Sequence, residues 1–384
     1  MAKGVYFGIA EKARKVKKLY FGVGDKSRKV KKMYFGVDGK ARICYSSGIN
    51  KIDTPLNITE SVGGRFSWRD GSCAPVGDKL VVSMSKATGQ MDTFSTSLVK
   101  GSAPLPLIGV TNQYGWCAAK LPSYAVFAGG KHTTDRDGRD YTIGQNGVYS
   151  YNASLAVTSA SYLTRGRYYI GAGSIGDYVT FAGGTYDNSS SDYDYIETFN
   201  NSLSRGVSIQ LNGRMSNPIG LNVPGYLIYA HGYNYNIPSI NSQIHILDTS
   251  LNKIYRTISR SSNISTGSSS GASNGAYALY MGGQNVPVDV VSASLVVSEL
   301  PIGIDGRFNA CGISFDEQAV FAGGSMLGGI DTKDAVTFNK NLVRDVIQDL
   351  SVGRRRMFSG RLNNLGFFIG GDSPFSNVVE VYEQ

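Results

Sequence analysis

Features that mark helical, membrane-spanning and metal-binding proteins are absent or rare in this chain of 384 residues. Only 17 % of the residues are charged, few stretches have an apolar period of 3.6 residues, and no run of 18 apolar residues occurs. The four cysteines contain no C-x-x-C pair, and no nucleophile elbow, phosphate-binding glycine loop or sialidase-type Asp box is present. We therefore expect no helical bundle, no membrane insertion, no cofactor and no enzyme activity.

The amino terminus is basic but lacks the apolar core of a signal peptide. We expect synthesis in a bacterial cytoplasm without a signal peptide. If the protein acts outside a cell, it should leave by a route such as lysis.

What the chain does contain favours β structure. It has 48 Gly, 24 Tyr and 16 Phe, and short alternating or wholly apolar runs are separated by Gly, Asn, Asp and Ser. Runs of this kind predict many short strands joined by turns.

The net charge of +9 belongs to the beginning of the chain. Residues 1–45 carry 13 Lys and Arg against three acidic residues, a balance of +10 that leaves −1 for residues 46–384. The sequence thus predicts a basic arm (1–45) followed by a neutral domain (46–384), and the charge distribution excludes a basic groove along the whole protein.

The basic arm consists of a repeat of 14 residues. The segments 5–18, 19–32 and 33–45 align without gaps and place Tyr6, Tyr20 and Tyr34 in register. Each unit predicts a hairpin in which an aromatic strand, a tight turn and a basic strand follow one another. Because a lone hairpin is marginally stable, we expect the three to pack on each other, on a sister chain in a homotrimer, or on a larger assembly.

A longer repeat follows, in which an apolar run recurs roughly every 40 to 55 residues and mostly ends in a glycine pair. The runs are LVVSM (80–84), AVFAGG (125–130), VTFAGG (179–184), LIYAHG (227–232), ALYMGG (278–283), AVFAGG (319–324) and GFFIGG (366–371). A first strand that often opens with Gly-Arg is expected before each run, and third and fourth strands after it. Seven units of four strands predict a β-propeller. The last unit has only three strands, so we expect residues 43–58 to supply the fourth and close the ring.

The apolar runs with glycine pairs, followed by an aromatic strand, resemble the kelch-type β-propeller over residues 46–384. The tryptophan expected late in each kelch repeat is mostly missing, since only Trp68 and Trp116 are present. The resemblance implies a β-propeller for these residues. With the closing strand and the basic arm, the predicted fold class is an all-β, seven-bladed kelch-like propeller closed by an amino-terminal strand and preceded by three hairpins.

The three 14-residue repeats are similar to amino-terminal segments of tail-associated proteins from phages, prophages and phage-tail-like bacteriocins of clostridia and their relatives. This resemblance implies a tail or baseplate location and docking of the arm to particle proteins. Nucleic-acid binding and a merely solvated face are the alternatives for the arm. The attachment residues expected from the repeat are Tyr6, Tyr20, Tyr34, Lys15, Lys17, Lys29 and Lys31.

The loops between second and third strands are the candidate binding elements, because all of them leave a propeller on one face. Tyr, Asn, Asp and Ser dominate several of them, which suits stacking on sugar rings or adaptable protein recognition, although ordinary polar turns have a similar composition. The candidate ligand contacts are Tyr186, Tyr193, Tyr233, Tyr235, Asp135, Arg136 and Asp137.

Cysteine and histidine give no strong indication of a metal site. Cys73, Cys117 and Cys311 stand at what the repeat predicts to be equivalent positions on first strands, where small apolar packing is expected. His132, His231 and His245 lie on different segments, and we expect packing or solvent-facing roles rather than metal ligation.

Together these patterns predict a non-enzymatic protein of a phage tail or tail-like particle that binds a host carbohydrate or surface-layer protein. The alternatives are an assembly scaffold without a receptor and, ranked last, a carbohydrate-active propeller.

Overall fold

The computed structural model describes most of the chain. The described residues are 6–9, 12–15, 20–23, 26–29, 32–37, 40–46, 48–59, 71–83, 90–106, 113–136, 139–186, 193–232, 243–258, 269–282, 287–300, 307–326, 329–372 and 376–384. For 6–46, 113–114, 132–143 and 159–160, only the backbone is described. No helix long and apolar enough to cross a membrane is found in these ranges.

The basic arm forms the three predicted hairpins. Their strands are β1 (Tyr6–Ile9), β2 (Lys12–Lys15), β3 (Tyr20–Val23), β4 (Lys26–Lys29), β5 (Lys32–Val37) and β6 (Lys40–Ser46). The first two hairpins have the same register, with Tyr6 opposite Lys15 and Tyr20 opposite Lys29. In the third, a bulge after Met33 places Tyr34 opposite Ile43.

Seven four-stranded antiparallel sheets, here called blades 1 to 7, follow the arm. Strand β7 (Asn50–Asn57) comes first in the chain but belongs to blade 7. Blade 1 contains β8 (Ser72–Val76), β9 (Lys79–Ser83), β10 (Gln90–Ser95) and β11 (Lys100–Pro104). Blade 2 contains β13 (Cys117–Leu121), β14 (Tyr124–Ala128), β17 (Gly147–Tyr151) and β18 (Val157–Tyr162), and a separate sheet beside it contains β12 (Gln113–Tyr114), β15 (Lys131–Arg136) and β16 (Arg139–Gly144).

The remaining blades repeat the same order of strands. Blade 3 contains β19 (Gly171–Ile175), β20 (Tyr178–Ala182), β21 (Tyr195–Asn200) and β22 (Arg205–Gln210), and blade 4 contains β23 (Ile219–Val223), β24 (Tyr226–Ala230), β25 (Gln243–Asp248) and β26 (Lys253–Thr257). Blade 5 contains β27 (Ser270–Ser273), β28 (Tyr277–Met281), β29 (Val288–Ser292) and β30 (Val297–Leu300), and blade 6 contains β31 (Cys311–Ser314), β32 (Gln318–Ala322), β33 (Ala335–Asn339) and β34 (Arg344–Val346). Blade 7 contains β35 (Phe358–Leu362), β36 (Leu365–Ile369), β37 (Val378–Glu383) and β7.

The blades form a closed ring. The first strands touch one another in the order β8, β13, β19, β23, β27, β31 and β35, and β35 touches β8 again. The first strand of each blade is therefore innermost. The chain is a seven-bladed β-propeller.

The ring is closed by the amino-terminal strand, as predicted, but with a shorter segment. Strand β7 pairs with β37, so that Asn57 lies opposite Val378 and Asn50 opposite Glu383. The prediction that residues 43–58 act as one strand was too long. Residues 43–46 instead complete the third hairpin, because the basic strand of that repeat unit extends to Ser46.

The core lies between blades rather than inside one. Seven clusters of buried apolar residues occupy the seven interfaces, including the one between blades 7 and 1. On β20, Val179 and Phe181 pack towards blade 2, whereas Ala182 packs towards blade 4. Because both faces of a second strand contact a neighbouring blade, its sequence is apolar throughout instead of alternating.

The recurring Asn-x-Ser-Leu segments form the turns between third and fourth strands. In blade 3, the side-chain Oδ1 of Asn200 accepts the backbone N–H groups of Ser202 and Ser204 at 3.0 and 3.1 Å. Leu203 follows with a φ of 58°, and its side chain is buried in the interface with blade 2. The burial of this side chain offsets the cost of a left-handed backbone conformation at a residue other than glycine.

One predicted equivalence is wrong. Cys117 lies opposite Ala128 and Cys311 opposite Ala322, but Cys73 lies opposite Val82, one position further along its strand. Since strand residues alternate between two faces, Cys73 points away from the face that the other two cysteines share. The first repeat unit has Met84-Ser85 in place of the glycine pair. The number of residues between Cys73 and the apolar run therefore does not predict which residue of the second strand lies opposite Cys73.

Candidate functional site

One end of the ring contains the loops between second and third strands and the connections from each fourth strand to the next blade. We call this end the loop face. Backbone bonds join the two kinds of segment, since Thr185 pairs with Tyr168 and Ser325 with Phe308. The short turns between first and second strands lie at the opposite end of the strands.

Blade 2 carries an ordered extension where the sequence predicted only a loop between its second and third strands. Strands β15 and β16 pair as a hairpin, and β12 from the connection into blade 2 joins its edge. Asp135 and Arg136 lie near the tip of β15, where only their backbone is described, and Asp137 lies outside the described residues. Thr133 lies opposite Thr142 and Thr134 opposite Tyr141. Both residue types favour strands, a signal that the charged and polar composition of the segment concealed.

Tyrosines of blade 3 lie beside this extension. The Tyr186 carbonyl accepts the N–H of Gly144 at 3.1 Å, and the Tyr186 side chain is 40 % exposed. Tyr193 is half-buried, and its ring centroid lies 4.9 Å from the Arg167 guanidinium carbon. Burial raises the pKa of the Tyr193 hydroxyl. Tyr233 and Tyr235 lie outside the described residues, so the structure brings together Tyr186, Tyr193 and the blade 2 extension only.

Three further side chains join this group, and the sequence prediction did not include them. The rings of Tyr168 and Tyr169 meet edge to face with centroids 4.7 Å apart. The Lys131 ammonium lies 5.1 Å from the Tyr169 centroid and 3.4 Å from its hydroxyl. A lysine held against aromatic rings offers a hydrogen-bond donor beside flat apolar area, which suits sugar or peptide ligands.

Beneath the loop face, the Gly-Arg motif has a structural role that the sequence did not predict. Gly166 and Arg167 lie ahead of β19 rather than opening it. The buried Arg167 guanidinium donates to Glu197 Oε2 at 2.6 Å and to the Gly183 carbonyl at 2.9 Å. Arg167 therefore acts as a brace that links Glu197 on the third strand to the glycine pair after the second strand. Burial lowers the pKa of Arg167, and the charge of Glu197 opposes this shift.

The same brace recurs in blade 7, whereas the arginine of blade 6 pairs with a partly exposed aspartate ahead of the third strand. Arg354 donates to Glu380 at 2.6 Å in blade 7, and Arg307 contacts Asp334 at 3.2 Å in blade 6. In blade 4 the corresponding Arg214 is exposed, so the motif alone does not determine burial. Arg65 of blade 1 lies outside the described residues.

Blade 5 has no arginine at this position, and a histidine takes its place from the neighbouring blade. His231 Nε2 lies 2.6 Å from Asp289 Oδ2, and Nδ1 lies 3.2 Å from Ser269 Oγ. His231 stands where other blades have the first glycine of the pair and has a φ of 59°, close to the 61° of Gly183. The imidazole, stacked on Tyr280 at 5.1 Å, thus joins blades 4 and 5.

His245 occupies the third-strand position of blade 4 that Glu197 occupies in blade 3. The side chain is fully buried, and neither ring nitrogen has a hydrogen-bond partner among the described residues. Burial and, to a lesser extent, the charge of Lys253 lower its pKa to about 4. The imidazole is therefore neutral at physiological pH.

The described part of the chain contains no group of three or more His, Cys, Asp or Glu side chains placed to hold a metal ion. Burial raises the pKa of the Cys117 thiol to about 12 and that of Cys311 to about 11. These thiols remain protonated at neutral pH and are weak nucleophiles.

Neither a protein-family model nor a curated protein sequence matches this chain. Many solved structures share the fold, among them the following two. YjhT is 12 % identical with a TM-score of 0.51, and the match covers 77 % of this chain and 98 % of YjhT. Selenomethionine-substituted virginiamycin B lyase from Staphylococcus aureus is 11 % identical with a TM-score of 0.57, and the match covers 88 % and 100 %. At these identities the similarity shows the β-propeller fold alone.

Proposed function

We propose that this protein is a non-enzymatic component of a phage tail or tail-like particle. In this proposal the basic arm docks to tail or baseplate proteins, and the loop face binds a carbohydrate or surface-layer protein of the host cell. The observation that supports it best is that the arm and the loops join opposite ends of the blade strands. Asn50, where β7 begins after the arm, lies opposite Glu383, whereas the loop between β36 and β37 precedes Val378 at the other end.

The distribution of charge fits this division of roles. The arm has an excess of ten positive charges and the rest of the chain a balance of −1, so long-range attraction to an acidic partner acts on the arm. The matching registers of the first two hairpins present the same residues in the same order, which suits a partner with repeated or symmetric sites. A homotrimer is one such arrangement.

The chemistry of the loop face supports binding. Tyr168, Tyr169, Tyr186 and Tyr193, here called the tyrosine group, lie beside the blade 2 extension. Together with the Lys131 ammonium they combine flat apolar area with hydroxyls and a positive charge. Tyrosine orders with little loss of conformational entropy and tolerates varied ligands, which suits adaptable recognition.

The binding role is tested by replacing tyrosines on the loop face. We expect Tyr186→Ala and Tyr233→Ala to weaken adsorption of the protein to host cells. Tyr178→Ala is the matched control, because Tyr178 begins β20 at the opposite end of blade 3. Unchanged adsorption of the double variant would remove the support for this face. A loop face that is covered by other proteins in the intact particle would favour an assembly scaffold instead.

The docking role is tested by deleting residues 1–42. We expect the shortened protein to fold but to be missing from purified particles, as measured by immunoblotting. Normal incorporation would refute the role of the arm.

A further inference from the structure

Residues with a left-handed backbone conformation surround the mouth of the central channel on the loop face. Each stands two residues before the first strand of a blade, and the first strands are innermost. The set, with its φ angles, is Gly115 (75°), Tyr169 (56°), Asn217 (54°), Asn309 (57°) and Arg356 (57°). Backbone bonds connect neighbours, since Asn217 N–H donates to Tyr169 at 2.7 Å and Arg356 N–H to Asn309 at 3.0 Å.

This conformation favours glycine, and only blade 2 has glycine there among the described blades. An L side chain in the left-handed region costs roughly 1 kcal/mol, with asparagine the best tolerated. Tyr169 and Arg356 are poorly suited to the conformation. Strained residues of this kind concentrate at ligand sites, where the surrounding structure holds them in place.

A compact polar cluster occupies the mouth between blades 6 and 7. Arg356 Nη1 donates to Asp372 Oδ2 at 3.0 Å. Arg355 Nε lies 3.5 Å from Asp372 and 3.6 Å from Asp331, which is an ion-pair distance but too long for a hydrogen bond. Asn309 adjoins them through its backbone bond to Arg356. We call Asn309, Asp331, Arg355, Arg356 and Asp372 the mouth cluster.

The mouth cluster is rich in buried polar side-chain atoms that make no hydrogen bond to the described residues. Each of its five residues has one buried side-chain atom without a hydrogen-bond partner in the described part of the chain. Three of these atoms are acceptors (Asn309 Oδ1, Asp331 Oδ1 and Asp372 Oδ1), and two are donors (Nε of Arg355 and of Arg356). Arg355 Nε faces the Oδ1 atoms of Asp372 and Asp331 at 3.5 and 3.6 Å, so these three atoms attract one another without forming hydrogen bonds. Buried polar groups are normally paired, so five together require an explanation.

The charges of the mouth cluster, and its mixture of donor and acceptor atoms, indicate which kind of ligand would bind to it. Two guanidinium groups and two carboxylates cancel, so an anion would meet both carboxylates and a cation both guanidinium groups. A hydroxyl group can donate to a carboxylate and accept from a guanidinium at the same time. A neutral ligand with several hydroxyls fits both the charge and the mixture of free donors and acceptors.

We propose that the mouth cluster binds a neutral sugar unit. This inference rests on the proposed recognition of carbohydrate by the loop face and places the sugar at the channel mouth between blades 6 and 7. The five residues of the mouth cluster contact the hydroxyls of the sugar. The tyrosine group lies further away around the ring.

The variants that test this proposal are Asn309→Gly and its matched control Asn217→Gly. Both replace asparagine by glycine at a φ of nearly the same value, so neither introduces backbone strain. Asn309→Gly removes the free Oδ1 acceptor of the mouth cluster, whereas Asn217→Gly alters the equivalent position between blades 3 and 4. Thermal unfolding of both variants serves to confirm that they remain folded.

Binding is measured by saturation-transfer NMR and calorimetry on the full chain. The probes are glucose, galactose and N-acetylglucosamine, with glucuronate and glucosamine as charged counterparts. We expect at least one neutral probe to bind and its charged counterparts to bind more weakly. Asn309→Gly should weaken binding about tenfold, the effect of losing one hydrogen bond of roughly 1.4 kcal/mol, and Asn217→Gly should not.

Two kinds of result would overturn the inference. Failure of every neutral probe to bind, or equal binding by both variants and the unaltered protein, would reduce the cluster to an internal ion-pair network. Sugar binding that is lost in Tyr186→Ala but kept in Asn309→Gly would place the ligand on the tyrosine group. Adsorption to host cells is scored separately, so the proposed function stands or falls independently of the sugar result.

Discussion

At the scale of single residues, the arginine of the Gly-Arg motif occurs in two environments. Arg167 is fully buried and braces Glu197, whereas Arg214 of the next blade is exposed. A buried pair adds little when both partners are present, because desolvation offsets attraction. Removing one partner is costly, since it leaves the other charge buried.

We therefore predict unequal effects of the same substitution in neighbouring blades. Arg167→Met should lower the free energy of unfolding by about 3 kcal/mol, at the low end of the usual range because Arg205 still lies 3.3 Å from Glu197. Arg214→Met should change it by less than about 0.5 kcal/mol. Urea unfolding measures both. Equal losses in the two variants would contradict a bracing role specific to the buried arginine.

His245 predicts a dependence of stability on pH. Its pKa is about 4 in the folded protein, below the ordinary value of 6.5, so the unfolded chain binds the extra proton between these values. Stability should be unaffected by this group above pH 6.5, fall as pH decreases towards 4, and fall no further below that. The full loss corresponds to about 3 kcal/mol.

The substitution His245→Phe isolates this effect. It removes the titrating group and two unpaired buried nitrogens while keeping an aromatic ring beside Tyr255. We expect the variant to be at least as stable as the unaltered protein at pH 7, because it lacks the unpaired nitrogens. Its advantage should grow as pH decreases to 4.5, as measured by thermal unfolding across this range. If the unfolding temperatures of the variant and the unaltered protein change with pH in the same way, a group other than His245 causes the pH dependence.

At the scale of the strand, close contact between blades depends on glycine. Gly312 on β31 faces Gly271 on β27, and a Cβ at Gly312 would collide with the Gly271 carbonyl oxygen. Gly220 is similarly placed against the Ala172 carbonyl. The innermost strands thus approach each other at backbone distance, which keeps the channel narrow.

Gly312→Ala should consequently destabilise the ring by about 1 to 3 kcal/mol, because blades 5 and 6 must separate to accommodate the methyl group. Gly48→Ala is the control. No heavy atom of the described residues lies within 4 Å of a Cβ at Gly48, and its backbone is not left-handed, so alanine should be neutral or stabilising by about 0.5 kcal/mol. Chemical denaturation distinguishes the two, and a neutral Gly312→Ala would mean that the blades adjust freely.

The strands were predictable from sequence where burial imposes a simple pattern. Second strands such as β20 are apolar throughout because neighbouring blades cover both faces, and this produced the seven repeats. The β15–β16 hairpin was missed, since its charged and polar composition is that of a loop. The mouth cluster was missed for a different reason. Arg355, Arg356 and Asp372 have no distinctive spacing and meet only when two connections converge.

At the scale of the whole molecule, stability depends on the pairing of the two ends of the ring. Strand β7 covers the edge of β37, and Leu56 and Ile58 fill the interface between blades 7 and 1. Lys51 adds an ion pair with Glu380 at 2.5 Å. The ring is thereby held together by hydrogen bonds between residues more than 300 positions apart in sequence.

We predict that removing β7 opens the ring, whereas removing only the arm does not. A chain of residues 47–384 retains every strand of the seven blades and should unfold in one transition at the same urea concentration as the full chain. A chain of residues 58–384 should unfold earlier and less cooperatively, because blade 7 then has three strands and β37 presents an open edge that invites association. Urea titration with size-exclusion chromatography measures both effects. Identical unfolding of the two shortened chains would mean that contacts between blades close the ring without the amino-terminal strand.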